Sequence, residues 1–488
     1  MAFLLGQQSF ALTEFDADSI VNIMKRVANY RMTYCSVNPI ANCWNHASTS
    51  GHQHAINHND KVNPYEQLNG GNNWDAGAFF TGLMAMYLAS KDTIHSNFIR
   101  RWGDYFKWSP YVFANPPTHT QNMDNICCGA TYCDFYMLDP TPANRYMVDS
   151  IGKTLAYYFD VIRPNPTTMY SGWGWCDALY MGPPTIARYC KAANVSRFLD
   201  SLDRFWWALD AVLYNKTYKM WWRDAGFVNS SSGGKPVFWS GGNGWVLAGL
   251  ARTLDYMPAT YTNRQRFENQ FKEMCEAIRV QQGQNGVFDG LWTTNLLVHN
   301  VTPGAETSGS AFFCFAMAWG VRNKLLDSAT YTPVINAAWR DLVKNVGTDG
   351  RLLKCQHVDW GPADMAADAN NSSPEGEGAF LQAGYELYLR ATGSTSVFTF
   401  EPVFVKGEEA LSVHGSIITL RLAYPLTASL KTFAVNGRLA ADLSSRIKTM
   451  QAGTNTFSLA GIGLPAGVYR IVLKDGGTTA SSMAATIR

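Results

Sequence analysis

Six times along this chain, a short motif of polar residues and glycine leads into an uncharged apolar helix, which is followed by a break and an amphipathic helix. The motifs recur about every 50 to 70 residues, and they begin near Asp75, Asp124, Asp177, Asn243, Glu306 and Glu375. The first helix of each pair is apolar nearly all round, as expected of a helix that other helices surround. The repeat therefore predicts six helical hairpins that close into an (α/α)6 barrel.

The polar motifs also predict where a functional site lies. Every inner helix of such a barrel runs in the same direction, so all six motifs gather at one end and line one cavity. A concave site with several convergent polar groups is the usual setting of an active site. We therefore expect the chemistry at this mouth of the barrel.

The pattern changes near Thr392. From Val397 onward, alternating segments such as SIITLRLAY and GVYRIVLKDG are separated by Gly, Asn and Pro turns, which is typical of β-strands. The sequence thus predicts an all-α (α/α)6 barrel over residues 1–393 and a small C-terminal β-sandwich over residues 394–488. The second domain carries no recognisable chemical motif, and we expect an accessory role for it.

Charge and hydropathy exclude several classes of partner. The formal net charge is only +2, and Lys and Arg are scattered rather than clustered, so neither a nucleic acid nor an anionic membrane surface is expected to bind. No run approaches the roughly 18 apolar residues that a membrane-spanning helix needs. The sequence does not fix the oligomeric state.

Asp177 is the leading candidate for a general acid. It lies among aromatic and apolar residues in WGWCDALYMGPP, at the start of a predicted helix. Poor solvation raises the pKa of a carboxyl towards the range useful for proton donation, although a helix N-terminus acts in the opposite direction. Asp124, in MDNICCGATY, takes the equivalent place in the preceding repeat, and a facing pair of carboxylates suits acid–base work on a glycoside. The alternative for each Asp taken alone is a helix N-cap.

The segment FWSGGNGWV, from Phe238 to Val246, is a candidate for ligand binding. Glycine-rich backbone at a helix N-terminus allows close approach of a ligand, and the rings of Trp239 and Trp245, with Asn243 between them, are candidates to contact it. No strand precedes the segment in a βαβ unit, so it is not a dinucleotide-binding fingerprint.

Two further motifs leave alternatives open. Glu306, Thr307 and Ser308 are interpreted equally well as a capped helix start or as a hydroxyl-rich edge of the pocket. Arg223, beside Asp224 in MWWRDAGF, is placed to bind a substrate carboxylate through two hydrogen bonds, and a structural ion pair is an equally good interpretation.

The histidines do not predict a metal site. His46, His52, His54 and His58 cluster in an Asn-rich segment without helical spacing, which favours a surface loop. The motifs HExxH, P-loop and GxSxG are missing from the sequence, so a metalloprotease, an NTPase or a serine hydrolase is not expected.

The ordered motifs resemble those of the unsaturated glucuronyl and rhamnogalacturonyl hydrolases, glycoside hydrolase families 88 and 105, and are closer to the latter. The resemblance covers roughly residues 19–393, and it is carried by DNICCGATY, WCDALYMGPP, FWSGGNGWV, DGLWTTNLL, ETSGSAFFCFAMAWG and EGEGAFLQAG. Family members act on the 4,5-unsaturated uronic acid that polysaccharide lyases leave at a non-reducing end. The resemblance implies hydration of the vinyl ether: an acid protonates C4, water adds at C5, and the hemiketal opens and releases the aglycone.

The resemblance also implies roles for residues of this chain. By position, Asp177 is the single acid that then serves as base, and Asp124 holds sugar hydroxyls and assists. Trp175, Trp239 and Trp245 match aromatic positions of the sugar site, and neither a metal nor an organic cofactor is needed.

One position departs from the family pattern. The family usually has W-x-R-G-N-G-W where this chain has Trp239 to Trp245 with Gly241 in place of the Arg. We hypothesise that Arg223, on the Trp-rich segment, compensates for that missing partner of the substrate.

The sequence therefore predicts a hydrolase that takes lyase-generated oligosaccharides from an acidic polysaccharide. Two rivals stay open: an inverting hydrolase on a saturated sugar that uses Asp124 and Asp177 as base and acid, and a carbohydrate-binding protein without turnover. The substrate favours a secreted or periplasmic protein, with a cytoplasmic location as the alternative. Six N-x-S/T sequons permit glycosylation, and they would count toward secretion if the source were eukaryotic.

Overall fold

The computed structural model describes the helical part of the chain in seven ranges and the C-terminal part in separate strands. The helical ranges are residues 15–37, 72–110, 123–162, 174–284, 290–298, 305–356 and 372–394. The strands lie at residues 411–414, 417–422, 428–434, 439–442, 453–458, 467–475 and 478–487.

Each of the six polar motifs leads into a helix, as the repeat predicted. The motif helices are α2 (Trp74–Ser90), α4 (Cys128–Leu138), α6 (Ala178–Met181) with α7 (Pro183–Ala193), α9 (Ser240–Tyr256), α11 (Ser308–Arg322) and α13 (Pro374–Thr392). The intervening helices are α1 (Ala17–Val37), α3 (Thr93–Tyr105), α5 (Tyr146–Tyr157), continued by a π-helical turn at Tyr158–Ile162, α8 (Arg197–Leu213), α10 (Arg264–Arg279) and α12 (Ser328–Lys344).

The two sets of helices differ in burial, and this difference explains which set lies inside. In α2 and α11, nearly every residue from the first turn to the last is buried. In α8 and α10, one mainly apolar face is buried and most of the charged residues lie outside it. A helix that is apolar all round is stable only when other helices surround it, whereas an amphipathic helix covers them from outside.

The motif helices close into a ring. Helix α2 packs against α13, α13 against α11, α11 against α9, and α9 against both α6 and α7. The 3-10 turn Met123–Ile126 touches α6 and α2 and completes the circle. At the contact between α2 and α13, a Cβ on Gly82 would collide with the carbonyl oxygen of Gly378, and a Cβ on Gly378 would collide with that of Ala78. These glycines let the first and last inner helices meet backbone to backbone, so the predicted helical barrel is confirmed.

The third motif helix is interrupted, and the break shapes the site. Pro183 and Pro184 follow Gly182 and provide no backbone N–H, so the chain ends α6 after one turn and restarts as α7. The short α6 begins directly after Asp177.

In the described ranges, three antiparallel strand pairs lie between the helices. They are β1 (Tyr214–Asn215) with β2 (Met220–Trp221), β3 (Ser231–Ser232) with β4 (Lys235–Pro236), and β5 (Trp292–Thr293) with β6 (Ala305–Glu306). Strand β6 runs into the start of α11, and the chain after β4 runs into α9, so these strand pairs stand near motif helix N-termini.

The C-terminal residues form antiparallel strands, as the alternating pattern predicted. One sheet has the order β10 (Leu439–Asp442), β9 (Ala428–Ala434), β12 (Gly467–Asp475), β13 (Thr478–Ile487), and the other has the order β11 (Gly453–Ser458), β8 (Ile417–Leu422), β7 (Leu411–His414). By their contacts, residues 1–135 and 146–396 group into one compact unit, and residues 136–145 and 397–488 into a second. The boundary at residue 393 and the sandwich stay predictions. In the ranges given above, no helix combines the length and apolar character required to cross a membrane.

Candidate active site

Asp177 occupies the position just before α6, but it does not act as a cap. Its backbone is helical, with φ −64° and ψ −25°, and its side chain makes no capping hydrogen bond. The residue as a whole is partly buried, whereas Oδ1 is sealed from solvent and has no hydrogen-bond partner among the described residues. A carboxylate oxygen without a donor is unfavourable to bury, so this geometry speaks against the alternative of a structural N-cap.

The surroundings of Asp177 change its acidity. Burial raises the pKa of its carboxyl from the ordinary 3.8 to about 6, because the charged form loses hydration. Backbone N–H groups at the start of α6 and the guanidinium of Arg223 act in the opposite direction, and the neighbouring charge of Asp224 raises the pKa further. The result is a carboxyl that keeps its proton up to about pH 6 and can donate it.

Two antiparallel backbone segments bring the other exposed groups beside Asp177. Trp175 pairs with Asp224 in an isolated β-bridge, and the N–H of Cys176 donates to the carbonyl oxygen of Arg223 at 2.8 Å. Trp175 is 45% exposed, which is unusual for so large an apolar ring. An exposed indole beside an acid is suited to stack on a sugar ring.

Arg223 satisfies parts of both sequence interpretations. Its Nε lies 3.3 Å from Oδ2 of Asp224, and its guanidinium stands 5.2 Å from the ring centroid of Phe227. The side chain is 27% exposed, and no hydrogen bond from the described residues engages its Nη groups. The structural ion pair is therefore present, and the described residues leave the Nη groups for an anion.

Asp124 lies in the 3-10 turn Met123–Ile126, which packs against α6. Its backbone oxygen accepts from the N–H of Cys127 at 3.2 Å, and the residue is partly exposed. Met123 next to it sits against Gly182, where a Cβ would lie 2.5 Å from the sulfur. The two predicted catalytic carboxylates thus stand on segments that touch each other.

The glycines of FWSGGNGWV support a tryptophan ring. A Cβ on Gly241 would lie 2.8 Å from ring atoms of Trp239, and one on Gly242 would lie 2.7 Å from that ring. The indole N–H donates to Oε1 of Gln356 at 2.8 Å, and Trp239 is only 3% exposed. Trp239 is therefore held as part of a wall, with the glycine backbone against the ring.

Asn243 and Trp245 belong to the buried frame behind this wall. The Asn243 Oδ1 accepts from the N–H of Trp221 at 2.8 Å, and its Nδ2 donates to the carbonyl oxygens of Trp221 and Trp239. Trp245 is 2% exposed and makes edge contacts with Trp74 and Tyr180. These contacts explain their conformation, and a direct contact of either residue with a sugar stays a prediction.

Glu306 ties two helix starts together. Its oxygens accept from Ser240 Oγ at 2.6 Å, from Ser308 Oγ at 2.5 Å and from the N–H of Gly309 at 2.8 Å. Burial raises the pKa of this carboxyl, while these donors lower it. Glu306 and Thr307 have no exposed surface, and Thr307 Oγ1 donates to the carbonyl oxygen of Leu353 at 2.7 Å. The geometry favours the capped helix start over the pocket edge for this motif.

The structure therefore divides the ten predicted site residues by accessibility. The accessible ones, grouped around α6, are Asp124, Trp175, Asp177 and Arg223. The buried ones are Trp239, Asn243, Trp245, Glu306, Thr307 and Ser308. No sequence pattern pointed to Gln356, which accepts a hydrogen bond from the Trp239 ring. The segment WWRD contains Asp224 but does not indicate its contacts with Trp175, Arg223 and Gly226.

The predicted histidine loop lies outside the described residues. Within the described ranges, no group of three or more His, Cys, Asp or Glu side chains is placed to hold a metal ion.

Curated relatives of this chain are described as hydrolases of unsaturated sugars. The chain is 32% identical over 327 residues to an "unsaturated 3S-rhamnoglycuronyl hydrolase" of Formosa agariphila, a match that covers 64% of this chain and 84% of that protein. A protein of the same description from Alteromonas sp. is 30% identical over 218 residues, which is 44% of this chain and 51% of the relative.

Solved structures agree on the fold. A glycosyl hydrolase family 88 protein from Bacteroides vulgatus is 25% identical, with a TM-score of 0.64, over 77% of this chain and 99% of that one. An unsaturated glucuronyl hydrolase from Bacillus sp. GL1 shares the fold at 12% identity, with a TM-score of 0.55 over 78% of this chain and 98% of that one. The family model that matches residues 47–391 is that of Glycosyl Hydrolase Family 88, and the chain belongs to this family.

Proposed function

We propose that this chain removes the 4,5-unsaturated uronic acid from the non-reducing end of oligosaccharides that a polysaccharide lyase has generated. The observation that carries the proposal is Asp177, a partly buried carboxyl with a pKa of about 6 and an oxygen that accepts no hydrogen bond from the described part of the chain. The names of the two relatives support the same substrate class, since both are called unsaturated 3S-rhamnoglycuronyl hydrolases.

The proposed reaction is hydration of a vinyl ether. Asp177 donates its proton to C4 of the unsaturated ring, and the positive charge that develops at C5 is shared with the ring oxygen. The Asp177 carboxylate then accepts a proton from the water whose oxygen bonds to C5. The resulting hemiketal opens and the bond to the aglycone breaks, so the double bond is consumed and the acid is regenerated.

The accessible groups around Asp177 account for substrate binding. The exposed ring of Trp175 offers a stacking surface, and the Nη groups of Arg223 offer two donors to a carboxylate. Asp124, on the neighbouring turn, is the proposed partner of sugar hydroxyls. Trp239 and Trp245 shape the wall behind them.

Paired substrates test the proposal. We expect the protein to release the uronic acid from a lyase-generated unsaturated disaccharide and to leave the saturated nitrophenyl glycoside of the same sugar intact, because protonation at C4 requires the double bond. Turnover of the saturated glycoside would favour an inverting hydrolase that uses Asp124 and Asp177. Tight binding of either sugar without product would favour a binding protein.

Arg223 is tested by a substitution with a matched control. Arg223→Ala should raise KM by about an order of magnitude, the scale expected for the loss of a charged hydrogen bond, with a smaller effect on kcat. Arg197→Ala removes another Arg, whose exposed pair with Asp160 lies on the outer layer, and should leave KM unchanged. Equal KM values for the two variants would contradict the role of Arg223.

We further propose that residues 394–488 form a β-sandwich with an accessory role. The alternating strands and the two antiparallel sheets support this assignment.

A secreted or periplasmic location, where lyase products of a polysaccharide accumulate, is likewise a proposal, and fractionation of the native cells would test it.

A further inference from the structure

Asp224 makes three separate contacts at the edge of the site. Its backbone pairs with Trp175, its Oδ2 lies 3.3 Å from Nε of Arg223, and its Oδ1 accepts from the N–H of Gly226 at 2.7 Å. The last contact caps the 3-10 turn Ala225–Phe227, which carries the ring under the Arg223 guanidinium. Asp224 thus connects Trp175, Arg223 and the turn that carries Phe227.

We propose that Asp224 is a positioning residue for the reaction: it holds Trp175 and Arg223 beside Asp177, and its charge offsets that of Arg223 so that the acid retains its proton. This inference rests on the proposed function. Asp224 itself is only 18% exposed at the side chain, and its oxygens are engaged by Arg223 and Gly226, which favours a supporting role over direct contact with the sugar.

The charges around Asp177 support the proposal that Asp224 offsets the charge of Arg223. After burial and the first backbone contact, the largest influences on the pKa of Asp177 are Arg223, which lowers it, and Asp224, which raises it. A guanidinium near the acid without the Asp224 charge would favour loss of the proton. When a substrate anion binds the Nη groups and offsets the positive charge, the acid holds its proton more firmly still.

Other ionisable groups also stand near α6. They are Asp124 from the turn Met123–Ile126, Cys176 next to Asp177, Arg188 of α7 and Arg252 of α9. Arg188 is paired with Asp134 at 2.9 Å, and Arg252 stacks 4.6 Å from the ring centroid of Tyr180. Burial raises the pKa of the Cys176 thiol well above its ordinary value, so it stays neutral. Removal of the charge of Arg223 or Asp224 should therefore change the pKa of Asp177 most.

The pH profile of kcat/KM separates this role from a merely structural one. Asp224→Asn retains an oxygen that can accept from Gly226 but removes the charge. We expect the acidic group seen in the profile to titrate roughly half a pH unit lower or more, and KM to rise about threefold or more because Arg223 is less well oriented. Asp224→Glu should restore the profile at least in part. Asp160→Asn, which breaks the exposed pair with Arg197, is the control and should change neither quantity.

A second readout does not depend on turnover. The stability difference between Asp177→Asn and its parent protein grows with pH until Asp177 is fully ionised, so it reports the acidity of Asp177 directly. In the Asp224→Asn background, this difference should level off at a lower pH and at a smaller value. If no unsaturated disaccharide is turned over, the proposed function fails. The positioning role fails if Asp224→Asn changes neither the level nor the pH of this plateau, whatever the activity.

Discussion

Replacing Asp177 by Asn should stabilise the protein at neutral pH while it abolishes turnover. Burial raises the pKa of the Asp177 carboxyl from 3.8 to about 6, so its ionised form is less favourable in the folded state than in the unfolded chain. The rise is roughly two pKa units, and at about 1.4 kcal/mol per unit it corresponds to about 3 kcal/mol at most. Asn has nearly the same shape and never carries the charge.

The sign of the effect follows from linkage. Below about pH 4, Asp177 is protonated in both the folded and the unfolded chain, so the substitution should change the free energy of unfolding little. Between about pH 4 and pH 6, the unfolded chain releases the proton first, and the parent protein loses stability relative to the variant. Above about pH 6, the advantage of Asp177→Asn should be constant.

Urea unfolding of both proteins at pH 4.0 and pH 7.5 measures this difference. The expected result is a higher unfolding midpoint for Asp177→Asn at pH 7.5 that shrinks at pH 4.0. Asp160→Asn, at a side chain that is 57% exposed, is the matched control and should show no such pH dependence. A variant that is less stable than the parent at pH 7.5 would refute the reasoning, because it would mean that the ionised carboxylate is satisfied in the fold.

Three further substitutions test the frame around the site. Glu306→Ala should lower the free energy of unfolding by about 3 kcal/mol or more in urea titrations, because two hydroxyls and a backbone N–H lose their shared acceptor. An unchanged midpoint would contradict this role. Gly241→Ala should shift the tryptophan emission and raise KM, since the new Cβ would lie 2.8 Å from the Trp239 ring; an unaltered spectrum would argue against the packed ring. Arg188→Met should destabilise by about 3 to 5 kcal/mol, measured by the same titrations, because Asp134 is left buried without its cation. A loss below about 1 kcal/mol would show that Asp134 finds another partner.

Much of the barrel could be predicted because its helices differ in apolar periodicity. Helices such as α2 and α11 are apolar on every face, and that pattern can be recognised in the local sequence alone. The contact between α2 and α13, which closes the ring, could not be predicted. It depends on Gly82 and Gly378, which lie far apart in the sequence. Nothing in a local window indicates which distant glycine faces another.

The site was predictable where local chemistry is unusual. An Asp among aromatic residues before Gly-Pro-Pro pointed to Asp177, and the structure gives it the raised pKa that such surroundings favour. The sequence could not separate the accessible from the buried site residues, because the buried ones are held by residues distant in the chain. Trp239 contacts Gln356, Asn243 contacts Trp221, and Glu306 contacts Ser240. Those partners lie on other elements, and only the assembled fold brings them together.

The most direct test of the central claim follows the ultraviolet absorbance of the conjugated double bond. Lyase-generated unsaturated disaccharides are incubated with the wild-type protein and with Asp177→Asn, whose folding is checked by its unfolding midpoint. We predict that the absorbance falls with the wild type, as a keto acid and the free aglycone form, and stays constant with the variant. Equal loss of absorbance with both proteins would contradict the assignment of Asp177 as the acid. Release of the aglycone with the double bond intact would contradict vinyl-ether hydration itself.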